Sequence, residues 1–467
     1  MVFSSSVFLF LFLPLVLIGY FNPIFRGRRF KNYFLLLVSL GFYTWGEPLF
    51  VAVMLVSIGV NWLLGMRIAR YEKRGRRKCL LVVAVVYDVA LLVVFKYLSF
   101  ISRTLGLLLH DDRLSLAIAL PIGISFFTFQ IMSYVFDVYY KRAEAQKNCL
   151  DVALYIALFP QLIAGPIVRY QTVAEELTGR VETPEDFTRG MSRFIMGLGK
   201  KLLLANYAGF VADKLFEQTG NLSAASAWLG AAAYALQIFF DFSAYSDMAI
   251  GLGRIFGFHF LENFNYPYMA TSITDFWRRW HISLSSWFRD YVYIPMGGSR
   301  VSRGRSFFNL LILWLLTGLW HGANWTFIAW GLFYFLLIAF ERVTGISLLK
   351  KPGAFSRIYT LFFVIIGWAL FRSESITLAV QYVGAMFGVG SRGLIDETFW
   401  YYFANGKWLL LAGILLSTPF VPFCKQKIGV TNRVYQSISA FGLAALFCLS
   451  LVVCIKATYN PFIYFNF

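Results

Sequence analysis

The sequence predicts an all-α, polytopic integral membrane protein. Of its 467 residues, 59% are hydrophobic and only 14% are charged, and the mean hydropathy is +0.65. A soluble domain usually carries about 45–50% apolar and roughly 25% charged residues. Because a transmembrane helix needs about 20 apolar residues, the chain can form about 10–12 spans. We expect these spans, with additional re-entrant or interfacial helices, to form a single domain over residues 1–467.

The apolar runs of the sequence mark the candidate helices. The first run lacks the basic region and cleavage site of a signal peptide, so we expect it to be a retained helix. The tetrapeptide GEPL at 46–49 divides a longer apolar stretch and predicts a tight helical hairpin. The runs form an N-terminal segment (1–140), a central segment (141–345) and a C-terminal segment (346–467). They lie at 6–22, 32–46, 48–65, 79–101, 114–140, 190–212, 224–257, 307–320, 324–342, 356–372, 400–420 and 434–457.

The net charge of +18 comes from short basic loops between apolar runs. Such loops remain on the cytoplasmic side of a membrane. Their alternation with less basic connections predicts a multi-pass membrane protein with its N-terminus outside. This explanation of the charge excludes nucleic acid as a partner. The basic loops lie at 26–31, 67–78, 141–147 and 299–305.

Two segments do not resemble ordinary spans. Residues 159–170, FPQLIAGPIVRY, contain two prolines that break a helix, which predicts a buried or re-entrant segment. Residues 271–298 alternate aromatic and charged side chains, which favours a helix in the interface or along a water-filled cavity. Ser272 or Thr274 should cap its start, and Pro295 with the glycines at 297–298 should end it.

His321, in the motif TGLWHGANW, is the first candidate catalytic residue of a chain with four histidines. A histidine in a soluble core is usually structural, but an ionisable group in a membrane segment normally faces a cavity or a partner. The neighbouring Gly318, Gly322 and Ala323 would allow a backbone or a thin substrate to approach the ring. A neutral imidazole there could serve as a general base.

His281 is the second candidate, with a structural role among aromatics as the alternative. A helix over 275–290 would place Trp277, His281, Leu284, Ser285 and Phe288 on one face. The two histidines have no metal-ligand spacing, and no metal site is expected. His110 and His259 read as solvated or locally bonded residues.

Polar side chains also interrupt other apolar runs. Asp241 and Tyr245 should share one helix face and Asp247 should point away, and Gln130 ends the run PIGISFFTFQ. Intramembrane carboxylates face the protein interior or a water-filled cavity, so catalysis and a structural network are both open for them. The five cysteines lack metal spacing, and the apolar neighbours of Cys448 and Cys454 favour buried, reduced thiols.

Long motifs in this sequence resemble the membrane-bound O-acyltransferase superfamily. They are FWRRWHISLSSWFRDYVYIPMGG, GLWHGANWTFIAWG, LPIGISFFTFQIMSYVFDVY, FPQLIAGPIVRY, FFDFSAYSDMAIGLG and the opening MVFSSSVFLFLFLPL. The resemblance extends to about residue 345 and is closest to the bacterial branch typified by the membrane subunit of alginate O-acetylation.

The resemblance implies helices around a central tunnel, with 141–345 as the catalytic core. The family's invariant histidine corresponds to His321, and a second, usually polar position corresponds to His281. Members pass an acyl group from a cytoplasmic thioester, here acetyl-CoA, to a hydroxyl outside the membrane. No cofactor is implied. Residues expected to line the tunnel or contact substrate are Trp277, Ser285, Trp320, Asn324, Asp241 and Gln130.

The resemblance leaves the acceptor open. An alginate-like exopolysaccharide, reached through a secreted SGNH-type acetyltransferase partner, is the first expectation. Peptidoglycan O-acetylation and D-alanyl transfer to teichoic acid are alternatives within the family. A transporter of small anions or lipid-linked sugars is the rival from another class, since broken helices and buried carboxylates also occur in transporters. A scaffold that only docks a secreted partner is the third reading.

Overall fold

The computed structural model describes residues 2–24, 26–345, 353–428, 433–456 and 459–463. These residues form helices, turns and loops and no β-strand, as the all-α prediction requires. The chain divides into two compact units, Met1–Phe194 with Ser246–Leu261, and Ile195–Tyr245 with Glu262–Phe467. The predicted segment limits at 140 and 345 fall inside these units.

The first unit begins with a π-helical turn, Phe8–Phe12, and a tight hairpin follows where GEPL predicted one, between Gly46 and Phe50. A second π-helical turn, Val93–Tyr97, joins the helices Arg74–Leu92 and Leu98–Leu109, and a 3₁₀ turn follows at Asp112–Leu114. The helices of this part of the chain are α1 (Leu13–Tyr20), α2 (Arg28–Gly46), α3 (Phe50–Arg70), α4 (Arg74–Leu92), α5 (Leu98–Leu109), α6 (Ile124–Tyr139), α7 (Cys149–Ala157), α8 (Phe159–Leu162), α9 (Tyr170–Val173), α10 (Glu176–Gly179) and α11 (Pro184–Gly199).

Residues 159–170 are buried throughout, which confirms the predicted broken segment. After the four-residue helix α8, turns replace the helix that its prolines exclude. The backbone groups freed by the break find side-chain partners within the unit. Phe159 N–H donates to Ser39 Oγ at 3.1 Å, and the Tyr155 hydroxyl donates to Val168 O at 2.7 Å. Such partners are required because an unpaired backbone group is costly in a membrane.

In the second unit, the long apolar run that includes Asp241 forms a single helix, Ala224–Ile255. The last turns of this helix, from Ser246 onward, belong to the first unit. π-Helical turns occupy Lys200–Ala205 and Arg289–Tyr293, and a 3₁₀ turn occupies Pro267–Met269. The helices are α12 (Asn206–Phe216), α13 (Ala224–Ile255), α14 (Ile273–Arg279), α15 (Ile282–Phe288), α16 (Arg303–His321), α17 (Trp325–Thr344), α18 (Ala354–Arg372), α19 (Ile376–Met386), α20 (Glu397–Leu416), α21 (Phe420–Ile428) and α22 (Arg433–Lys456).

Several described helices suit a membrane by length and composition. Five are long and apolar enough to cross it, and a pair bent by 69°, Glu397–Leu416 with Phe420–Lys427, makes up to six. The predicted count of 10–12 also includes shorter or more polar helices, such as Phe8–Tyr20, which this criterion leaves out. The protein is therefore a multi-pass membrane protein. The five helices are Phe50–Arg70, Arg74–Leu109, Trp325–Thr344, Ala354–Arg372 and Gln436–Lys456.

The predicted burial of two of the cysteines is wrong. Cys448 is exposed and Cys454 is partly exposed. Both lie on α22, of which only 11% of the most apolar window is buried inside the protein. In a membrane helix, apolar neighbours do not indicate a protein core, because lipid can surround the same side chains.

Candidate active site

Helices α16 and α17 pack closely against each other as a helical hairpin, and His321 is the last residue of α16 before the turn. Gly318 and Gly331 face each other, and a Cβ on Gly331 would lie 2.5 Å from the Trp314 carbonyl oxygen. The small residues therefore allow the backbone approach that the sequence predicted. Asn324 ends the hairpin turn, because its side chain accepts from the Thr326 N–H at 3.1 Å and caps α17.

The His321 ring is buried among aromatic side chains, with 5% of the residue exposed. Its centroid lies 5.0 Å from that of Trp320, 5.1 Å from that of Trp330 and 5.1 Å from that of Phe371. As the last residue of α16, His321 also lies where the helix dipole carries partial negative charge. An imidazolium formed there during a reaction would be stabilised by that charge.

His281 lies at a break between two short helices, so the predicted continuous helix over 275–290 is wrong. The backbone of His281 is left-handed, with φ of 44°, between α14 and α15. The reason is tertiary: Arg279 O accepts from Asn265 N–H at 2.9 Å, and Ile282 N–H donates to Asn263 O at 3.0 Å. These bonds replace intrahelical ones. A left-handed non-glycine residue is costly and is typical of functional sites.

The ends of the segment agree with the sequence prediction. Ser272 Oγ accepts from the Asp275 N–H at 3.0 Å and caps α14. Glu341, on α17, supplies a second cap, because its carboxylate accepts from the N–H groups of Ile273 at 2.6 Å and Thr274 at 3.0 Å. At the other end the glycines at 297–298 adopt positive φ. The α14–α15 segment is thereby held against the α16–α17 hairpin.

The tautomer of His281 follows from its neighbours. Asn263 Oδ1 accepts from the Ser283 N–H at 3.2 Å, which identifies that atom of the amide as oxygen. His281 Nδ1 lies 3.2 Å from the same oxygen, and we assign it as the donor because Ser283 Oγ also donates to that oxygen at 2.9 Å. In the neutral ring the proton is on Nδ1, and Nε2 presents a lone pair. Nε2 has no hydrogen-bond partner among the residues that the structure describes.

Trp320 contacts both candidate histidines. The His281 centroid is 5.7 Å from that of Trp320, which in turn is 5.0 Å from that of His321. Phe242 covers His281 from α13, with centroids 4.5 Å apart. Burial lowers the pKa of His281 well below its ordinary value, and positive charge on His321 would lower it further. His281 is therefore neutral at physiological pH.

The other candidate residues occupy different surroundings. Trp277 extends the aromatic cluster, with its centroid 5.3 Å from that of Trp330. Ser285 is partly exposed one helical turn after His281, whose carbonyl accepts from its N–H at 3.0 Å. The Asn324 amide also donates to Glu374 O at 2.9 Å, outside the aromatic cluster.

The two polar candidates within apolar runs lie elsewhere. Asp241 forms a buried ion pair with Lys201 at 2.7 Å and accepts from the Ile463 N–H at 2.9 Å. Tyr245, predicted on the same helix face as Asp241, stacks on Phe462, the neighbour of Ile463, with centroids 4.6 Å apart. Gln130 belongs to the first unit and is completely buried. Neither amide atom of its side chain has a hydrogen-bond partner among the described residues.

The remaining histidines are local, as predicted. His259 Nδ1 lies 3.0 Å from a carboxylate oxygen of Glu176, and His110 is exposed at the end of α5. Within the described ranges, no three His, Cys, Asp or Glu side chains come together as a metal-binding group.

Sequence reasoning missed the residues that orient and cover the histidines. Asn263 and Ser283 form the hydrogen-bond network of His281, and Trp330 and Phe371 enclose His321. Polar residues beside aromatics in ENFNYPY were a weak signal for Asn263. Its contact with a residue eighteen positions later depends on the fold of the loop between them.

Two buried imidazoles within one aromatic cluster can perform proton transfer away from bulk water. A neutral imidazole nitrogen accepts a proton from a hydroxyl as that oxygen attacks a carbonyl carbon. The low local dielectric strengthens the alignment of the charges that develop. This chemistry is suited to acyl transfer.

Comparison with known proteins identifies the family. Residues 42–378 match the model of the membrane-bound O-acyltransferase family. The chain is 42% identical over 397 residues to a probable alginate O-acetylase from Pseudomonas aeruginosa, which covers 84% of this chain and 76% of that protein. It is 30% identical over 514 residues to a peptidoglycan O-acetyltransferase from Helicobacter pylori, which covers 100% of this chain and 98% of that one.

A third relative aligns over a smaller part. The teichoic acid D-alanyltransferase of Bacillus subtilis is 29% identical over 237 residues, 46% of this chain and 58% of that protein. The family match extends beyond residue 345, where the motif resemblance stopped. Both candidate histidines lie within the matched range. The chain therefore belongs to the membrane-bound O-acyltransferase family.

Proposed function

We propose that this membrane O-acetyltransferase moves an acetyl group from acetyl-CoA at the cytoplasmic face to a hydroxyl of an extracellular, alginate-like polysaccharide. A secreted SGNH-type partner would complete the transfer outside the membrane. The names of the Pseudomonas relatives support the acceptor class. The observation that carries the proposal is the pair of buried imidazoles that both contact Trp320, with Nε2 of His281 presented as a lone pair.

In the proposed reaction His321 is the general base. It takes the proton of the attacking hydroxyl as that oxygen bonds to the thioester carbonyl carbon. The C–S bond then breaks, the acetyl group remains on the oxygen, and the thiolate of CoA takes up a proton as the imidazolium returns to neutral. His281 acts as a second acceptor. The Nδ1–H tautomer favours this role over donation to the carbonyl, because a neutral ring in this form has no proton on Nε2.

Transfer of labelled acetyl groups by purified protein in nanodiscs tests the proposal. Radiolabelled acetyl-CoA, a candidate partner and alginate-type polysaccharide would be supplied to the wild type and to His321→Ala, His281→Ala and His259→Ala. We expect His321→Ala to lose at least about a hundredfold in rate, as for removal of a general base. His259→Ala, half exposed and bonded to Glu176, should match the wild type. Full transfer by His321→Ala would contradict the proposal.

The acceptor has one alternative with its own support. The Helicobacter pylori peptidoglycan O-acetyltransferase aligns with the entire chain, whereas the alginate relatives align with 84–93% of it. Peptidoglycan fragments should therefore be offered in parallel with the polysaccharide. Label on peptidoglycan alone would assign this acceptor. Supplying a D-alanyl carrier protein as the donor tests D-alanyl transfer, the activity in the name of the Bacillus subtilis relative that aligns with 46% of the chain.

We also propose the orientation in the bacterial inner membrane, with the N-terminus outside. The basic loop between α3 and α4 would be cytoplasmic, and the α5–α6 connection external. In a cysteine-free background, Glu72→Cys and Arg113→Cys place single exposed thiols in these loops. We expect an impermeant maleimide added to intact spheroplasts to label only Arg113→Cys. Labelling of Glu72→Cys alone would reverse the orientation.

A further inference from the structure

The first unit contains an open cavity of about 1270 Å³ where α3 and α6 end. Its walls come from the last turn of α3, the start of α4 and the loop 141–147 that follows α6. Among its lining residues are only two carboxylates, those of Glu72 and Glu144, against six cationic side chains. The cations are those of Arg67, Arg70, Arg77, Lys141, Arg142 and Lys147.

Four of these cations have no ion-pair partner in the part of the chain that the structure describes: Arg67, Arg70, Lys141 and Lys147. Arg77 has a structural role, because it donates to the Tyr139 carbonyl oxygen at 2.5 Å and ties α4 to the end of α6. The cavity wall is therefore held in place by Arg77, while the four cations without an ion-pair partner remain available.

Two general effects account for part of this charge. Cytoplasmic loops are basic, and cations stabilise the negative end of a helix, where Arg67 and Arg70 lie. Neither effect requires that a separate segment bring Lys141 and Lys147 to the same cavity. The backbone of Lys141 is left-handed, with φ of 56°, a conformation that is costly for a non-glycine residue. Arg142 N–H donates to Asp137 O at 2.8 Å, and this bond closes the turn that contains Lys141.

We propose that this cavity binds a ligand that carries several phosphate esters. Guanidinium and ammonium groups from different segments surround phosphate oxygens with charge-assisted hydrogen bonds. Arg67 and Arg70 are three residues apart on one helix and present neighbouring side chains. Tyr71 at the wall adds an exposed ring. Phosphate esters of this kind are carried by a soluble 3′-phosphorylated nucleoside 5′-diphosphate and by an anionic phospholipid headgroup.

Binding to two probes tests the site and separates the two sources. Protein in neutral phosphatidylcholine nanodiscs would be titrated with adenosine 3′,5′-bisphosphate by calorimetry. In a second arm, protein from mixed phosphatidylglycerol and phosphatidylcholine nanodiscs would be examined by native mass spectrometry for retained phosphatidylglycerol. The readout is binding, so the result is independent of the proposed acetyl transfer.

Two double variants each remove two positive charges, one pair inside the cavity and the other outside it. Arg67→Gln with Lys147→Gln removes two cations from the cavity. Lys73→Gln with Arg74→Gln removes two exposed cations outside it. We expect the control to bind like the wild type and the cavity variant to bind at least about tenfold more weakly to one of the probes, with affinity that falls as salt rises. The nucleotide arm would assign a soluble ligand, and the phosphatidylglycerol arm a lipid.

The proposal is overturned if neither probe binds the wild type. It is also overturned if the cavity variant and the control bind both probes equally, because net charge alone would then explain the attraction. Thermal unfolding of each variant shows whether it is folded, and the exposed positions of the substituted side chains make folding the expected result.

Discussion

The side-chain oxygen of Asn263 lies against His281 Nδ1, and substituting Asn263 should alter the chemistry in two distinct ways. Asn263→Ala removes the oxygen that accepts from His281 Nδ1 at 3.2 Å, from Ser283 N–H at 3.2 Å and from Ser283 Oγ at 2.9 Å. Asn263→Asp keeps an acceptor of the same shape and adds a negative charge beside the imidazole. Both variants leave the histidines themselves in place.

The magnitudes follow from these contacts. A neutral hydrogen bond contributes about 0.5–1.5 kcal/mol, so losing the one from Nδ1 reduces the preference for the reactive tautomer by about 2- to 13-fold. Because this ratio is the upper limit on the change in the reactive fraction, we expect kcat of Asn263→Ala to fall by no more than about 13-fold with KM little changed. Two buried N–H donors lose their acceptor, which destabilises the protein by at least about 2 kcal/mol. In Asn263→Asp the carboxylate should raise the pKa of His281 by about one to three units.

The direction of the pH effect is determined by the role of the ring. His281 acts only when neutral, and its low pKa keeps it neutral on the acid side of pH 7. Raising that pKa protonates the ring at a higher pH. The acid limb of kcat/KM for Asn263→Asp should therefore move upward, by up to about three pH units.

The assay is the rate of acetyl transfer in nanodiscs over pH 5–9, with thermal unfolding measured on the same samples. The matched control is Asn309→Ala. Asn309 is completely buried in the same unit, and its amide donates to Met296 O at 3.2 Å and Gly298 O at 3.1 Å. The control should lose stability but keep the wild-type pH profile. An unchanged acid limb in folded Asn263→Asp would refute the assigned tautomer and role of His281.

Three further predictions concern packing and charge. Glu182 lies among cationic partners that lower its pKa to about 2. Glu182→Gln should therefore lower the melting temperature at pH 7. The wild type should lose its higher melting temperature relative to this variant as pH falls from about 4.5 towards 2, because the carboxylate becomes protonated. Gly331→Ala would push a methyl group against Trp314 O, which a melting curve and loss of transfer would reveal. Asp241→Asn, which leaves Lys201 buried without its charge partner, should destabilise the protein by about 3–5 kcal/mol, measured by thermal or denaturant unfolding.

Hydropathy and motif spacing predicted much of the architecture. The runs at 48–65, 324–342 and 356–372 correspond to Phe50–Arg70, Trp325–Thr344 and Ala354–Arg372. These helices form where the sequence indicates because a long apolar run in a membrane must satisfy its backbone hydrogen bonds internally. The same reasoning located the broken segment at 159–170, since proline cannot continue a helix.

Prediction failed where tertiary contacts compete with local preference. The spacing of aromatic residues suggested one helix through His281, but backbone bonds to residues 263–265 interrupt it. Apolar neighbours suggested burial for Cys448, but its helix faces away from the protein interior. Neither the partner of a backbone group nor the lipid-facing side of a helix can be read from composition.

The sequence by itself determined the class of the protein, most of its helices and the two histidines, because these depend on hydropathy over local windows and on contiguous motifs. The tertiary structure alone decided how those histidines are arranged. It brings both rings against Trp320, places Asn263 against His281 Nδ1 and thereby leaves Nε2 as the basic atom. Proton position depends on which acceptor lies within about 3 Å of a ring nitrogen, and that acceptor comes from a distant part of the chain.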